Sequence, residues 1–199
     1  DEARLAGELQ DPGLRVLRSK GSHENRQVAG GQAVETRELP GCDVAIAYHN
    51  SHEEAEAVCA AIRALGGRAL AVQADVRDPG SLAEAFTAFR QQFDRVDIVV
   101  SNAAIGVLRP ALELTLKHWR RCMETNALAL NTLAQQAVPL MRDGGRIIGI
   151  SSLGASRAIP HYAFIGASKA ALESVARSLA QELGQRGIRV NTVSAGVVD

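Results

Sequence analysis

The stretch that decides the fold is "GGRIIGISSLGASRAIPHYAFIGASKAALESVARSLAQELGQRGIRVNTVSAG", residues 144–196. It begins with "GGRIIGISS", an apolar and β-branched run that is typical of a buried strand. The segment "PHYAFIGASKAALESVARSLAQEL" has the apolar spacing of a helix, and "IRVNTVSAG" predicts a second strand. A strand, a helix and a strand in this order predict two parallel strands joined by a helical crossover.

The same alternation extends upstream to Gly41. The runs "CDVAIAY", "RALAVQADV" and "RVDIVVSNAA" predict strands, and a helical pattern follows each of them. Ser81 is the expected N-cap of "GSLAEAFTAFRQQF", and one long helix is expected from about Lys117 to Met141. Together these patterns predict an α/β fold: a doubly wound parallel sheet with helices on both faces, of the Rossmann-like type.

Residues 1–40 do not join this pattern. They are rich in charge, they are interrupted by Pro12 and several glycines, and they show no convincing strand. The first strand of a Rossmann-like sheet is central, and the turn after it carries a glycine-rich phosphate loop. Gly30 and Gly31 are the only paired glycines in this segment, and they lack that spacing. We therefore expect an atypical, irregular segment over 1–40 and a Rossmann-like domain over 41–199, incomplete at its C-terminus.

Composition excludes several functional classes. Lysine plus arginine and aspartate plus glutamate number 22 each, so no net charge attracts nucleic acid or an anionic membrane. The 3 cysteines are scattered, which favours neither a disulfide framework nor a metal centre. No apolar run approaches the roughly 18 residues of a membrane span. We expect a cytoplasmic protein without metal, membrane or nucleic-acid partners.

Tyr162 and Lys169 form the first candidate pair for a functional site. They lie seven positions apart in a helical pattern, which is about two turns and a rise of roughly 10 Å. A sugar with two hydroxyls could bridge that distance, and a nearby ammonium favours the phenolate form of a tyrosine. The spacing alone is weak evidence for a functional pair, because tyrosines and lysines also share helix faces by chance.

Further polar residues follow the predicted strands, at the sheet edge where ligands bind in open α/β folds. Ser151 and Ser152 end one strand, "SNAA" (101–104) ends another, and "ADV" (74–76) ends a third. The carboxylate of "ADV" could accept a hydrogen bond from an adenine amino group. Asn126 lies inside the long helical pattern, where a polar side chain is out of place unless it bonds the backbone or water.

These segments resemble a known family. From Gly41 to Asp199 the chain resembles the short-chain dehydrogenases/reductases, on "ADV", "SNAA", "METNALAL", "RIIGISS", "YAFIGASK" and "RVNTVSAG". That family usually has its tyrosine four residues before the lysine, where this chain has Ile165. The earlier position of Tyr162 is similar to a divergent branch that contains the enoyl-acyl-carrier-protein reductases. The segments "SNAAIGVLRPALEL", "ISSLGASR" and "SAGVVD" are most similar to its NADPH-dependent type.

The resemblance implies a role for each matching residue. Tyr162 is expected to bind the thioester carbonyl and stabilise an enolate, and Lys169 to hold the nicotinamide ribose. Ser152 matches the active-site serine, and Asn126 matches an asparagine that maintains a proton-relay water. The residues expected to bind the cofactor are Asp75, Val76, Asn102, Ala103 and Lys169.

The cofactor preference follows from the end of the "CDVAIAY" strand. A carboxylate there would select NADH, yet "YHNS" (48–51) has none before Glu53, so NADPH is favoured. The implied function is hydride transfer from NADPH to an enoyl thioester in fatty acid synthesis. By the same resemblance, we expect a substrate that is a small molecule or is linked to acyl carrier protein, and a homo-oligomer, commonly a tetramer in this family. A β-ketoacyl or other carbonyl reductase, and an inactive scaffold without the phosphate loop, remain alternatives.

Overall fold

The computed structural model describes residues 8–10, 14–19 and 42–195. The strands are β1 (Glu8–Gln10), β2 (Leu14–Ser19), β3 (Cys42–Tyr48), β4 (Ala69–Gln73), β5 (Ile98–Ser101), β6 (Ile105–Val107), β7 (Gly145–Ser152) and β8 (Ile188–Ala195). The helices are α1 (His52–Ala64), α2 (Pro79–Gln92), α3 (Leu116–Cys122), α4 (Ala129–Ala137) and α5 (Ala163–Leu183). A π-helical segment (Met123–Leu128) joins α3 to α4. Short 3₁₀ turns cover Ala111–Glu113, Val138–Leu140, Leu153–Ala155 and Gly184–Arg186.

Six strands form the main sheet, in the order β4-β3-β2-β5-β7-β8. The pairs β3–β4, β5–β7 and β7–β8 are parallel, with Val99 opposite Ile147 and Ile147 opposite Val190. The strands β1 and β6 form a separate antiparallel pair, with Leu9 opposite Gly106. The predicted fold class, an α/β domain with a parallel sheet between helices, is confirmed.

The central strand differs from the sequence-based expectation. Residues 1–40 were expected to contain no strand, yet β2 lies between β3 and β5 and is antiparallel to both. The strands β3 and β5 present backbone N–H and C=O groups that require hydrogen-bond partners, and β2, with the sequence "LRVLRS", supplies those partners. The apolar pattern of this segment is too short to be recognised as a strand among the charged residues around it. Two expectations concern residues outside those that the structure describes. They are the absence of a glycine-rich turn at Gly30 and Gly31 and the incompleteness of the domain at Asp199.

The two faces of the sheet carry separate cores. On β3, Ala45 and Ala47 belong to a cluster that α2, α4 and α5 cover, whereas Val44 and Ile46 pack beneath α1. This division follows from the period of two in a strand, which sends successive side chains to opposite faces. Helices therefore cover both faces, as a doubly wound sheet requires.

Three helix boundaries correct the sequence-based expectations. The N-cap of α2 is Asp78 rather than Ser81, because Asp78 accepts a 2.8 Å hydrogen bond from the Gly80 N–H and Pro79 takes the first helical position. The helix expected from Lys117 to Met141 is divided by the π-helical segment. The last helix begins at Ala163, so that Tyr162 is its N-cap. Among the described helices, none is both long and apolar enough to cross a membrane.

Candidate active site

Tyr162 stands at the entrance of α5 and not within it. Its backbone (φ −111°, ψ 13°) is not helical, and its N–H donates to the Ile159 carbonyl at 3.2 Å, which closes a tight turn before the helix. The phenol donates a 3.2 Å hydrogen bond to Ser152 Oγ at the end of β7. Ser152 Oγ also accepts a hydrogen bond from the Gly154 N–H at 3.2 Å. The structure thus brings together two residues that the sequence assigned to catalysis.

Lys169 enters the same region from the second turn of α5. Its side chain is buried, at 5% exposure, and its Nζ donates to the Ile150 carbonyl of β7 at 2.7 Å. One turn further along α5, Glu173 accepts a 2.6 Å hydrogen bond from Ser151 Oγ. Tyr162 and Lys169 therefore both reach the C-terminal part of β7, and the groove that they are expected to share stays a prediction.

Asn126 is a buried junction between three elements. Its Oδ1 accepts a hydrogen bond from the Ile105 N–H at 2.8 Å, and its Nδ2 donates to the Ile105 carbonyl at 2.9 Å. The same Nδ2 donates to Ser168 Oγ at 2.9 Å, and Ser168 donates in turn to the Ile165 carbonyl at 2.7 Å. The expectation that this polar side chain bonds the backbone is confirmed. Sequence reasoning missed Ser168, although a serine on the apolar face of α5, one position before Lys169, was a visible signal.

Asp75 follows β4 and carries an ion pair that the sequence analysis did not predict. Its Oδ1 accepts from the backbone N–H and the Nε of Arg77 at 2.9 and 3.0 Å, and its Oδ2 accepts from Nη2 at 2.6 Å. His49 Nε2, at the end of β3, lies 3.7 Å from the same Oδ2. The hydrogen bond from Arg77 lowers the pKa of Asp75, and the nearby charges of Arg77 and His49 act in the same direction against partial burial.

The remaining predicted cofactor residues lie on the same edge of the sheet. Val76 follows Asp75, while Asn102 and Ala103 follow β5, and all three are half-buried. Because β3 and β5 are both antiparallel to β2, their carboxyl ends point the same way, as do those of β4 and β7. The residues that follow β4 and β5 and the last residue of β7, Ser152, therefore lie on one side of the sheet.

Metal and thiol chemistry have little support in this part of the chain. No group of three or more His, Cys, Asp or Glu side chains that could hold a metal ion occurs among the described residues. The thiols of Cys42, Cys59 and Cys122 are free, and burial raises the pKa of each. A buried thiol with a raised pKa is a poor nucleophile.

Comparison with known proteins is consistent with this geometry. The family model described as Enoyl-(Acyl carrier protein) reductase matches residues 25–199. The 1-cyclohexenylcarbonyl-CoA reductase of Streptomyces collinus is 38% identical over 159 residues, which are 80% of this chain and 57% of that protein. Hydroxynaphthalene reductase arp2 of Aspergillus fumigatus is 35% identical over 173 residues, 86% of this chain and 63% of that protein. The chain thus spans about three fifths of the length of these relatives.

A solved structure gives the same assignment. A short-chain dehydrogenase from Burkholderia cenocepacia J2315, determined in complex with NADP, aligns with a TM-score of 0.77 and 39% identity over 82% of this chain and 68% of that one. The fold and the family match agree. The chain belongs to the short-chain dehydrogenase/reductase family of oxidoreductases.

Proposed function

We propose that the protein reduces the double bond of an enoyl thioester with hydride from NADPH, as in fatty acid synthesis. The observation that carries this proposal is the position of Tyr162 before α5, seven residues from Lys169. The slot four residues before the lysine holds Ile165, which is 3% exposed and packed in the protein. Next to Ser152 and Lys169, the phenol that a substrate would meet is therefore that of Tyr162. The description of the family model and the thioester in the name of the Streptomyces relative support the same chemistry.

The residues of the site suit the charge that develops during such a reduction. Hydride addition to the β-carbon of an enoyl thioester moves negative charge to the carbonyl oxygen. The Tyr162 O–H, which now bonds Ser152, would donate to that oxygen and stabilise the enolate. The Lys169 ammonium is buried, so water would screen its positive charge less than at an exposed position.

The carboxyl edge of the sheet fits NADPH, which supplies the hydride when bound. Lys169 would hold the nicotinamide ribose, with Asn102 and Ala103 along the path to it. At the other end, Arg77 already bonds the Asp75 carboxylate, and the exposed His49 adds a possible donor for a 2′-phosphate. Because Asp75 Oδ1 accepts two hydrogen bonds from Arg77, an adenine amino group would bond to Oδ2. Val76 would contact the same adenine.

A carbonyl reductase is the second candidate. The Tyr162 and Ser152 hydroxyl oxygens are 3.2 Å apart, so that one ketone oxygen could accept a hydrogen bond from each. The Aspergillus relative is named as a hydroxynaphthalene reductase, not as an enoyl reductase. A homo-tetramer and delivery of the substrate by acyl carrier protein are further predictions from the resemblance. An inactive scaffold without the phosphate loop is the third candidate, of a different functional class.

Turnover of two thioesters separates these candidates. The purified chain is incubated with NADPH and either crotonyl-CoA or acetoacetyl-CoA, and loss of NADPH absorbance is followed. We expect faster turnover of crotonyl-CoA, and Tyr162→Phe to lower kcat by about 10²-fold or more while the NADPH Kd is retained. Tyr48→Phe is the matched control, because it removes the other phenol of the chain, which bonds His52 and not Ser152. Faster turnover of acetoacetyl-CoA would establish the carbonyl reductase, and no NADPH fluorescence change on titration would establish the scaffold.

A further inference from the structure

His161, directly before Tyr162, has an unusual backbone conformation. Its φ is 62°, and it is the single non-glycine residue with a positive φ in the part of the chain that the structure describes. It is the third residue of the turn from Ile159 to Tyr162, and Pro160 is the second. Proline at the second position with a positive φ at the third is the pattern of a type II turn, whose third position favours glycine or asparagine. Histidine adopts this region more readily than most other residues, yet it remains an uncommon choice.

A second element holds this conformation in place. The His161 carbonyl accepts a 3.2 Å hydrogen bond from the backbone N–H of Arg109, in the loop between β6 and α3. Tyr162 is then fixed on both sides, because its N–H closes the turn and its carbonyl accepts the Gly166 N–H at 2.8 Å as the first bond of α5. Strained backbone persists where surrounding structure over-determines it, and such positions cluster at functional sites.

The turn has a direct consequence for the phenol. If residue 161 relaxed to a negative φ, the chain would enter Tyr162 from another direction and the Arg109 hydrogen bond would be lost. The Tyr162 O–H could then no longer meet Ser152 Oγ above Gly154. We propose that His161 is a positioning residue, whose left-handed backbone, closed by Arg109, aims the Tyr162 phenol at Ser152. The functional weight of this inference rests on the proposed function of Tyr162, while the structural part stands without it.

The test uses a probe on the phenol itself. The chain has 2 tyrosines, so incorporation of 3-fluorotyrosine gives a small set of ¹⁹F signals, and Tyr48→Phe assigns that of Tyr162. His161→Gly and His161→Asn keep the turn, whereas His161→Val places a β-branched residue where positive φ is strongly disfavoured. Ala158→Val, in the same loop at an exposed position without positive φ, is the matched control.

We expect the Tyr162 resonance to be retained in the Gly and Asn variants and in Ala158→Val, and to move in His161→Val. In a Ser152→Ala background, His161→Val should shift the Tyr162 resonance little further, because the hydrogen bond between the Tyr162 phenol and Ser152 Oγ is already absent. Turnover of the preferred thioester should fall about tenfold or more in His161→Val at unchanged NADPH Kd, and His161→Asn should restore it.

Two results would overturn the proposal: an unmoved resonance in His161→Val, or equal shifts in the Gly, Asn and Val variants, which would assign the effect to the imidazole. If His161→Val does not fold, as judged by Trp119 fluorescence, His161→Ala takes its place, because alanine also disfavours positive φ. If no variant and no parent turns over a thioester, the proposed function fails while the ¹⁹F shifts still decide the role of His161.

Discussion

Gly166 on α5 lies so close to Gly154 that a Cβ at residue 166 would stand 2.5 Å from the Gly154 carbonyl oxygen. A Cβ on Gly154 itself would lie 2.5 Å from the ring of Tyr162. The two glycines therefore let the turn after β7 close onto the start of α5, with the Tyr162 ring packed against it. The atom opposite Gly166 belongs to the backbone, so it cannot rotate away as the end of a side chain can.

Gly166→Ala should separate α5 from this turn. We expect a loss of about 1 to 3 kcal/mol in the free energy of unfolding, as for other overpacked sites, together with lower turnover as Tyr162 moves from Ser152. Gly184→Ala is the matched control, because nothing lies within 4 Å of the added Cβ and the φ of −57° suits alanine. Its stability should be unchanged or higher by up to about 1 kcal/mol. Urea unfolding measures the change in the free energy of unfolding for both variants. Equal changes in Gly166→Ala and Gly184→Ala would contradict the packing argument.

Ser168→Ala tests the buried junction at Asn126. Ser168 and Asn126 are 0% and 1% exposed, so water cannot replace the lost acceptor of the Asn126 Nδ2–H. We expect a loss of about 1 to 3 kcal/mol in the free energy of unfolding, the typical effect of one buried polar group left without a partner. Ser178→Ala on the same helix removes an exposed hydroxyl bonded to Ser174 O and should change stability by less than about 0.5 kcal/mol. Both variants gain the same helix propensity from the change of serine to alanine, so a similar change of stability in the two would contradict a special role of the junction.

The alternation of apolar runs and helical patterns was enough to predict the five strands β3, β4, β5, β7 and β8, because each is rich in apolar and β-branched residues and is separated from the next by a helical pattern. The strand β2 could not be predicted. Its pairing depends on the vacant edges of β3 and β5, which are distant in sequence. Long-range pairing of this kind leaves no periodic signal in a six-residue segment.

At the site, the sequence proposed candidate residues but not their conformations. The roles of Tyr162 and Lys169 were inferred from the family resemblance and stay predictions, and the place of Tyr162 outside α5 was missed because the helical pattern continues past it. The positive φ of His161 depends on the Arg109 hydrogen bond from another loop. Arg77 was also missed, because an Asp followed two residues later by an Arg is common and forms an ion pair only in a suitable turn.

The Asp75–Arg77 pair should make stability depend on pH. The pKa of Asp75 is lowered in the folded protein, so its contribution is present above the unfolded pKa of about 3.9 and is lost as pH falls through the folded value. We expect the difference in stability between the parent and Asp75→Asn to be largest near neutral pH and to close below about pH 4. Urea midpoints over a series of pH values measure it. Arg77→Ala should reduce the same pH dependence, and a constant difference down to acid pH would show that the ion pair is not its origin.

The charge at the end of β3 should determine cofactor choice. His49 is an exposed donor 3.7 Å from Asp75, and a carboxylate in its place would repel a 2′-phosphate and accept bonds from a ribose 2′-hydroxyl. We expect His49→Asp to weaken NADPH binding about 10- to 100-fold, the effect of losing one hydrogen bond to a charged group, and to weaken NADH binding much less. Fluorescence titration with each nucleotide measures both Kd values without turnover. His118→Asp on α3 makes the same change of charge away from this strand end and should leave both Kd values unchanged. If His49→Asp weakens the binding of both nucleotides equally, the substitution has damaged the adenine site that they share. The end of β3 then does not select for the 2′-phosphate.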